Sequence, residues 1–354
     1  FVVSLAKLRW RHNVVRAVLI ILAIVLGIIA FALNNKSGQL FLLDTGIKQV
    51  LAQDYQHGDD SLRVIVCGSS SPLPAAGRAQ GCIAIITPEH FFVIDSGAGS
   101  TSNLQSANLP LNRLDGVLVT HFHSDHIAEL YEVNLGSWVG GRPSPMKVYG
   151  PKGIKKVISG INQTYELDVQ YRTEHHGEAF MPAKLAVLQP VRLDAGEALT
   201  LGSLKITSFS ADHSPISPAV SYKIEYKDRK VVVTGDTNVT TTLAEQVKGV
   251  DLLLTDALSL PILNRMIAGA TEAGRTRGAK ILKDVQDYHA STEKLIEMIA
   301  ASDVQMTGFY HMVPAPSNIV MEKIYKNDLP SDVVLTDDGM WFTLPVGSDS
   351  IEVD

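Results

Sequence analysis

Hydrophobic spacing along this chain changes character twice. Residues 17–33, AVLIILAIVLGIIAFAL, form one apolar run without a charge. A run of that length, apolar on every face, predicts a membrane-spanning helix, which needs about 17–20 such residues. Lys7, Arg9, Arg11 and Arg16 precede it and only Lys36 follows closely. The positive-inside bias therefore predicts a single-pass anchor in an inner membrane. Its N-terminus is cytoplasmic, and everything after residue 34 is exported to the periplasmic side. Ala30-Phe31-Ala32 resembles a small-residue cleavage site, so secretion after signal-peptide cleavage is the alternative. Residues 1–39 are read as basic leader and anchor. Leu40, Leu43, Ile47, Val50 and Leu51 recur at helical spacing. They predict an amphipathic helix that lies on lipid or packs on the domain. Polar residues 53–61 read as a linker and close this 40–61 segment.

From residue 62 the pattern becomes short apolar runs bounded by Gly, Ser, Pro and Asp, as strands require. RVIVC, CIAIIT, HFFVID, GVLVT and KVYG read as strands. HIAELYEVNLGS and GIKKVISGINQTYEL read as helices between or after them. A second series, KLAVLQPV, LKITSFSA, AVSYKIEYK and KVVVTG, follows. Next come a helix at 241–248, strand DLLLT, helical residues 258–283, a helix at 292–300 and strand VQMTGFY. VVLT and MWFTL are expected to pair through a turn at Asp337-Asp338-Gly339. YRTEHHGE, with His175 and His176, reads as a solvated loop or a pocket rim. Strands lead and helices follow in each half. That order predicts one α/β domain, 62–354, with two sheets facing each other and helices outside.

Composition narrows the function classes. Of 354 residues, 45% are apolar and 19% charged, enough for a large core. The net charge is −6 and aromatics are 6%, which argues against a nucleic-acid partner that needs a basic surface or a base-stacking groove. Cys67 and Cys82 flank a Gly/Ser/Pro loop at no zinc-knuckle spacing. Two buried thiols are expected, with a cross-strand disulfide as the alternative in an exported domain.

The chemistry concentrates in Thr120-His121-Phe122-His123-Ser124-Asp125-His126. In an extended segment, alternate side chains point the same way, so His121 and His123 can grip one ion. Asp125 and His126 follow after the chain turns and face a neighbouring position. Imidazole and carboxylate are donors that zinc accepts. His213, Asp236, Asp256 and His311 each sit just after a short apolar strand, where α/β sheets gather their ligands. One zinc would take His121, His123 and His213. The other would take Asp125, His126 and His311, with Asp236 bridging. A water shared by two divalent ions loses a proton near neutral pH and becomes a nucleophile. His289, supported by Asp256, would protonate the leaving group. Asp125, His289 and Asp256 are thus the catalytic candidates beside the ions.

These residues resemble the metallo-β-lactamase superfamily, whose signature is H-x-H-x-D-H followed by His, Asp and His. The resemblance covers residues 62 to 345. It implies a four-layer αβ/βα sandwich, two zinc ions and hydrolase activity, with manganese and iron(II) left open as the metal. Within the superfamily the chain is similar to the ribonuclease Z and arylsulfatase-like branch. GSSSPLP with Arg78, KVYGPKGI, LLLTDA and His289-Ala290-Ser291-Thr292 carry that similarity. Asp256 stands where the branch has Glu, and His311-Met312-Val313 stands where it has His-Phe-Ser. Residues 151–200 leave no room for the branch's transfer-RNA-clamping arm. The expectation is a membrane-anchored dizinc hydrolase that cleaves a phosphodiester or sulfate ester of a small exported substrate. Transfer-RNA 3′ processing and lactonase or β-lactamase-like hydrolysis are the alternatives, and a homodimer is left open.

Overall fold

The structure is a computed structural model. It describes residues 2–51, 55, 58–73, 75–327 and 329–354. The chain divides into two compact units, Phe1–Gln56 and His57–Asp354.

The first unit is helical, with α1 at Val2–Asn34 and α2 at Lys36–Leu51. Within α1, Asn13–Asn34 has a mean hydropathy of 3.0 and none of it is buried, as expected of a membrane anchor or a signal sequence. Leu40, Leu43 and Ile47 of α2 are exposed, in the helix that their spacing predicts. Of the linker expected at 53–61, residues 53, 54, 56 and 57 fall outside the described residues, and Ser61 already opens the first strand.

The second unit opens with β1 (Ser61–Gly68), β2 (Cys82–Ile86), β3 (Phe91–Ile94), α3 (Ser100–Ser106), β4 (Gly116–Leu118), α4 (Ser124–Ile127), α5 (Leu130–Val139) and β5 (Lys147–Gly150). Helices α6 (Ile154–Thr164), α7 (Glu166–His176) and α8 (Ala183–Ala186) lead to β6 (Gln189–Arg192), β7 (Ala198–Leu201), β8 (Leu204–Ser210), β9 (Val220–Tyr226) and β10 (Arg229–Val233). Then follow α9 (Thr241–Gln246), β11 (Leu252–Leu258), α10 (Leu260–Glu272), α11 (Thr276–Asp284), α12 (Thr292–Ala300), β12 (Met306–Val313), α13 (Ile319–Lys326), β13 (Val333–Leu335), β14 (Trp341–Pro345) and β15 (Glu352–Val353).

Two sheets result among the described residues, ordered β15-β14-β1-β2-β3-β4-β5-β6 and β13-β12-β11-β10-β9-β8-β7. Their inner faces share one apolar core. Val64, Ile83, Phe92 and Leu118 of the first sheet pack in a cluster with Ile206, Tyr222, Val231 and Leu254 of the second. Strand periodicity of two explains the uninterrupted apolar runs of β10 and β11. Val231, Val233, Leu252 and Leu254 enter this inner core, while Val232 and Leu253 join Leu243 of α9 and Leu295 of α12 in an outer one.

Four expectations need correction. First, VVLT and MWFTL form no hairpin. β13 pairs with β12 in one sheet and β14 with β1 in the other. Asp338 is the anchor of that crossover. Its carboxylate accepts hydrogen bonds from Ser69 N at 2.9 Å, Ser69 Oγ at 2.6 Å and Asn103 Nδ2 at 2.8 Å. Second, YRTEHHGE is not a loop but the end of α7, with His175 and His176 exposed in its last turn. An Arg172–Asp168 pair at 2.8 Å, one turn apart, and the Tyr131 hydroxyl donating to Asp168 at 2.6 Å hold this polar helix. Third, Cys67 and Cys82 are disulfide-bonded. Cys67 sits in a bulge, where the β1–β2 register shifts between Val66 and Gly68, and this sets its Cα 4.9 Å from that of Cys82. Fourth, KLAVLQPV does not read as one strand. Its first half is α8, and β6 starts only at Gln189.

Candidate metal centre

Segments at the carboxyl ends of strands from both sheets converge on one place. His121 and His123 lie in the extended segment after β4, and Asp125 and His126 begin the short helix α4. His213 follows β8 and Asp236 follows β10. His311 and Asp256 do not follow strand ends as expected. Both lie inside strands, at a bulge where the β11–β12 register shifts between Thr255 and Ala257. The bulge sets His311 at φ +28 and re-aims both side chains.

Two four-residue sets of donor atoms result among the described residues, each within 4.8 Å of one another, beside a third group of Asp236, Asp256 and His289. In the first, His123 Nδ1 is 3.1 Å from His121 Nε2 and 3.3 Å from His213 Nε2. Asp236 Oδ2 is 3.8 Å from His121 Nε2 and 3.7 Å from His213 Nε2. In the second, His126 Nε2 is 3.4 Å from both Asp125 Oδ2 and Asp236 Oδ1. His311 Nε2 lies 3.1 Å from Asp125 Oδ2, and its Nδ1 lies 3.3 Å from Asp236 Oδ1. One carboxylate, Asp236, thus offers an oxygen to each set.

The donor sets fit divalent cations. Tetrahedral ligands about 2.0–2.1 Å from zinc stand about 3.3–3.4 Å apart, close to these spacings. His126 Nε2, His311 Nδ1 and Asp236 Oδ1 are buried without a hydrogen-bond partner and face one another. Buried polar atoms are rarely left so unless something else satisfies them.

The remaining ring nitrogens are held from behind. His126 Nδ1 donates to Asp95 Oδ2 at 2.7 Å. Thr120 Oγ1 donates to the same oxygen at 2.7 Å and accepts from His121 Nδ1 at 3.1 Å. Asp95 therefore orients one histidine of each set, directly or through Thr120. His213 Nδ1 donates to the Tyr288 carbonyl at 3.0 Å. His289 Nδ1 donates to Asp256 Oδ2 at 3.0 Å.

A family model described as beta-lactamase superfamily domain matches residues 90–312. The chain belongs to the metallo-β-lactamase superfamily. It is a hydrolase of that fold, a class for which zinc dependence is typical. It is similar to ribonuclease Z of Mycobacterium bovis (strain BCG / Pasteur 1173P2), at 29% identity over 72% of this chain and 87% of that protein. The metallo-β-lactamase-fold protein YhfI of Bacillus subtilis has a similar structure, with a TM-score of 0.59 at 17% identity over 80% of this chain and all (100%) of YhfI. The short form of human tRNase Z gives 0.57 at 16% identity, covering 80% of this chain and 100% of that one.

In this superfamily member, electrostatics separates the two donor sets. Burial lowers the imidazolium of His121 and His123, and that of His213 falls to about 4. These rings are neutral donors at pH 7. Burial is the largest influence on His126 and His311 and disfavours their charge, but the carboxylates together outweigh it and raise both, Asp236 with Asp95 and Asp125 at His126 and Asp236 with Asp125 at His311. Asp236 itself is buried yet held well below the carboxylate range, chiefly by His311 and His126. Burial pushes the Asp256 carboxyl up, against the pull of His289.

All the sequence-derived candidates are brought together here. What sequence reading passed over is the support behind them. Asp95 ends an apolar strand, the same signal that picked out Asp236. Its strand-end position alone marks no role, because its partner Thr120 gives no sequence mark.

Proposed function

We propose that the protein is a membrane-anchored dizinc hydrolase that cleaves a phosphodiester or sulfate ester of a small exported substrate. The observation that carries this reading is a pair of donor sets sharing Asp236, with His289 beside them. His289 Nδ1 is 4.0 Å from Asp236 Oδ2 and is held by Asp256. His121, His123, His213 and Asp236 would hold one cation; Asp125, His126, His311 and Asp236 would hold the other. When bound, the cations would supply Lewis acidity toward the ester and ionise an attacking water. Asp236 keeps the two sites adjacent. The Asp256 carboxylate fixes the His289 ring with its Nδ1 proton inward, so a proton can pass from Nε2 to the leaving oxygen. The carboxylate also stabilises the imidazolium that precedes this transfer.

Export is supported by the apolar helix and by the Cys67–Cys82 disulfide, a bond that persists in oxidising compartments. A second reading, RNA processing at transfer-RNA 3′ ends, is favoured by the ribonuclease Z relatives. Against it stand the net charge of −6 and the three short helices at 154–186, where a substrate-clamping arm would need length. Metal-loaded full-length protein should turn over bis-(p-nitrophenyl) phosphate or an aryl sulfate, lose that activity to chelator, and leave precursor transfer RNA intact. No turnover of either ester would overturn the proposal, and RNA cleavage would establish the second reading.

A further inference from the structure

An apolar cavity lies beside segments that follow the metal-ligand strands, and its chemistry differs from that of the metal centre. It encloses about 500 Å³ and is lined mainly by Leu73, Ile262, Met266, Pro314 and Ala315. Among its described lining residues Arg265 carries the one charge, on an exposed side chain.

Its walls continue the strands of the metal centre. Pro314 follows His311 by three positions, which limits the separation of their Cα atoms to about 11 Å. Helix α10, with Ile262 and Met266, starts four residues after Asp256. Leu73 lies in the loop after β1, whose Ser70 bridges Met312, the neighbour of His311. Leu73 and Val313 pack in one apolar cluster with Tyr288. The Tyr288 ring is 4.9 Å from that of His213 and 5.0 Å from that of His289. Packed apolar side chains therefore connect the Tyr288 flank of His289 with the wall of the cavity. The volume lies in the range of small-molecule pockets, about 300–1,000 Å³. No aromatic ring lines it among the described residues, so a nucleobase would find nothing to stack on.

We infer that this cavity receives the hydrocarbon part of the leaving alcohol, which makes the enzyme selective for phosphodiesters of apolar alcohols. The inference rests on the phosphodiester reading above. With His289 donating to the leaving oxygen, and the Tyr288 ring beside it joining the apolar cluster that includes Leu73, the group on that oxygen would extend toward the cavity. The reaction is hydrolysis: water adds to phosphorus, the P–O bond to the alcohol breaks, and the alkoxide or phenolate takes the His289 proton.

The test compares methyl phenyl phosphate with methyl 4-pentylphenyl phosphate, whose leaving groups are nearly equal in acidity. Metal-loaded full-length protein in lipid nanodiscs should prefer the pentyl ester by about ten-fold or more in kcat/KM, since several methylenes leave water. Ala315→Phe, which fills the cavity from a buried wall, should cut that preference to near unity. Met266→Trp fills it from an exposed wall and should do the same should Ala315→Phe fail to fold. A preference absent in wild type, or intact in both variants, overturns the inference. Calorimetric titration of 4-pentylphenol into metal-free protein separates the two readings. Saturable binding lost in both variants supports the cavity even when neither ester turns over, in which case the phosphodiester reading alone falls. No difference in binding between wild type and the variants overturns the cavity's role.

Discussion

Asp95→Asn tests whether one buried carboxylate organises both donor sets. Asp95 is 1% exposed. Its Oδ2 accepts from His126 Nδ1 and from Thr120 Oγ1, both at 2.7 Å, and its Oδ1 accepts from Thr120 N at 2.8 Å. An asparagine can keep the bond from Thr120 N only by turning its NH₂ toward His126 and Thr120. The NH₂ then meets the Nδ1–H of His126 donor to donor, and the ring must change tautomer or shift. The relay from His121 through Thr120 breaks at the same atom. Each charge-assisted bond contributes about 1.5–3 kcal/mol. Supporting groups of this kind are worth about 10–100-fold in metal affinity. Asp95 has φ +57, a region that asparagine also tolerates, so the backbone has no reason to move. The expected result is a folded protein that holds metal about 10–100-fold more weakly at both donor sets. Chelator competition on the purified protein, followed by metal analysis, measures this, with circular dichroism as the control for folding. Wild-type affinity at both positions would refute the reasoning.

Other perturbations follow from the same geometry. His289→Ala should lower kcat by about 10²–10⁴-fold with metal content unchanged, and lower it less for a p-nitrophenolate leaving group that needs no proton; an equal loss on acidic and basic leaving groups would remove His289 from proton transfer. At Gly97, a Cβ would lie 2.2 Å from the Asp125 carbonyl oxygen and 2.7 Å from the Gln80 carbonyl carbon, both backbone. Gly97→Ala should therefore destabilise the fold by about 1–3 kcal/mol in urea unfolding and weaken the cation held by Asp125, whereas a neutral result would mean the loop yields freely. Opening the Cys67–Cys82 bond, which closes a loop of sequence separation 15, should cost about 3 kcal/mol. Comparing unfolding midpoints of Cys67→Ala/Cys82→Ala and wild type checks this, and identical midpoints would contradict it.

The donor set was legible because its signal is local. H-x-H-x-D-H needs only an extended segment and one turn, and His213 and Asp236 each follow an apolar strand. The two-sheet order was legible for a similar reason, since runs such as VVV and LLL fit strands buried on both faces. The failures involve contacts that sequence does not mark. The spacing of VVLT and MWFTL suits a hairpin, but Asp338 bonds to Ser69 and Asn103 and so directs the second strand to the other sheet. Helix α7 buries no residue and carries little apolar pattern. Its support comes from Tyr131, on another helix. The strand β7 and helix α13 leave little mark in the sequence, because ALTL is short and IVMEKIYK follows a Pro-rich stretch.

The bulge between β11 and β12 explains why the chemistry stands where it does. A regular strand would send Asp256 and its neighbours alternately to the inner core and the outer helices, as Leu252, Leu253 and Leu254 do. Neither face suits a carboxylate or an imidazole, because burying unpaired charge is costly. The register shift takes Asp256 and His311 out of that alternation and turns them toward Asp125, Asp236 and His289. The first sheet's ligands come from a segment that has already left β4, so only the second sheet must distort. Binding two cations at this seam would join β4 and α4 of one sheet to β10 and β12 of the other through Asp236. The metal centre is then also a cross-link between the layers, and the strain of the bulge is offset where the ions are held.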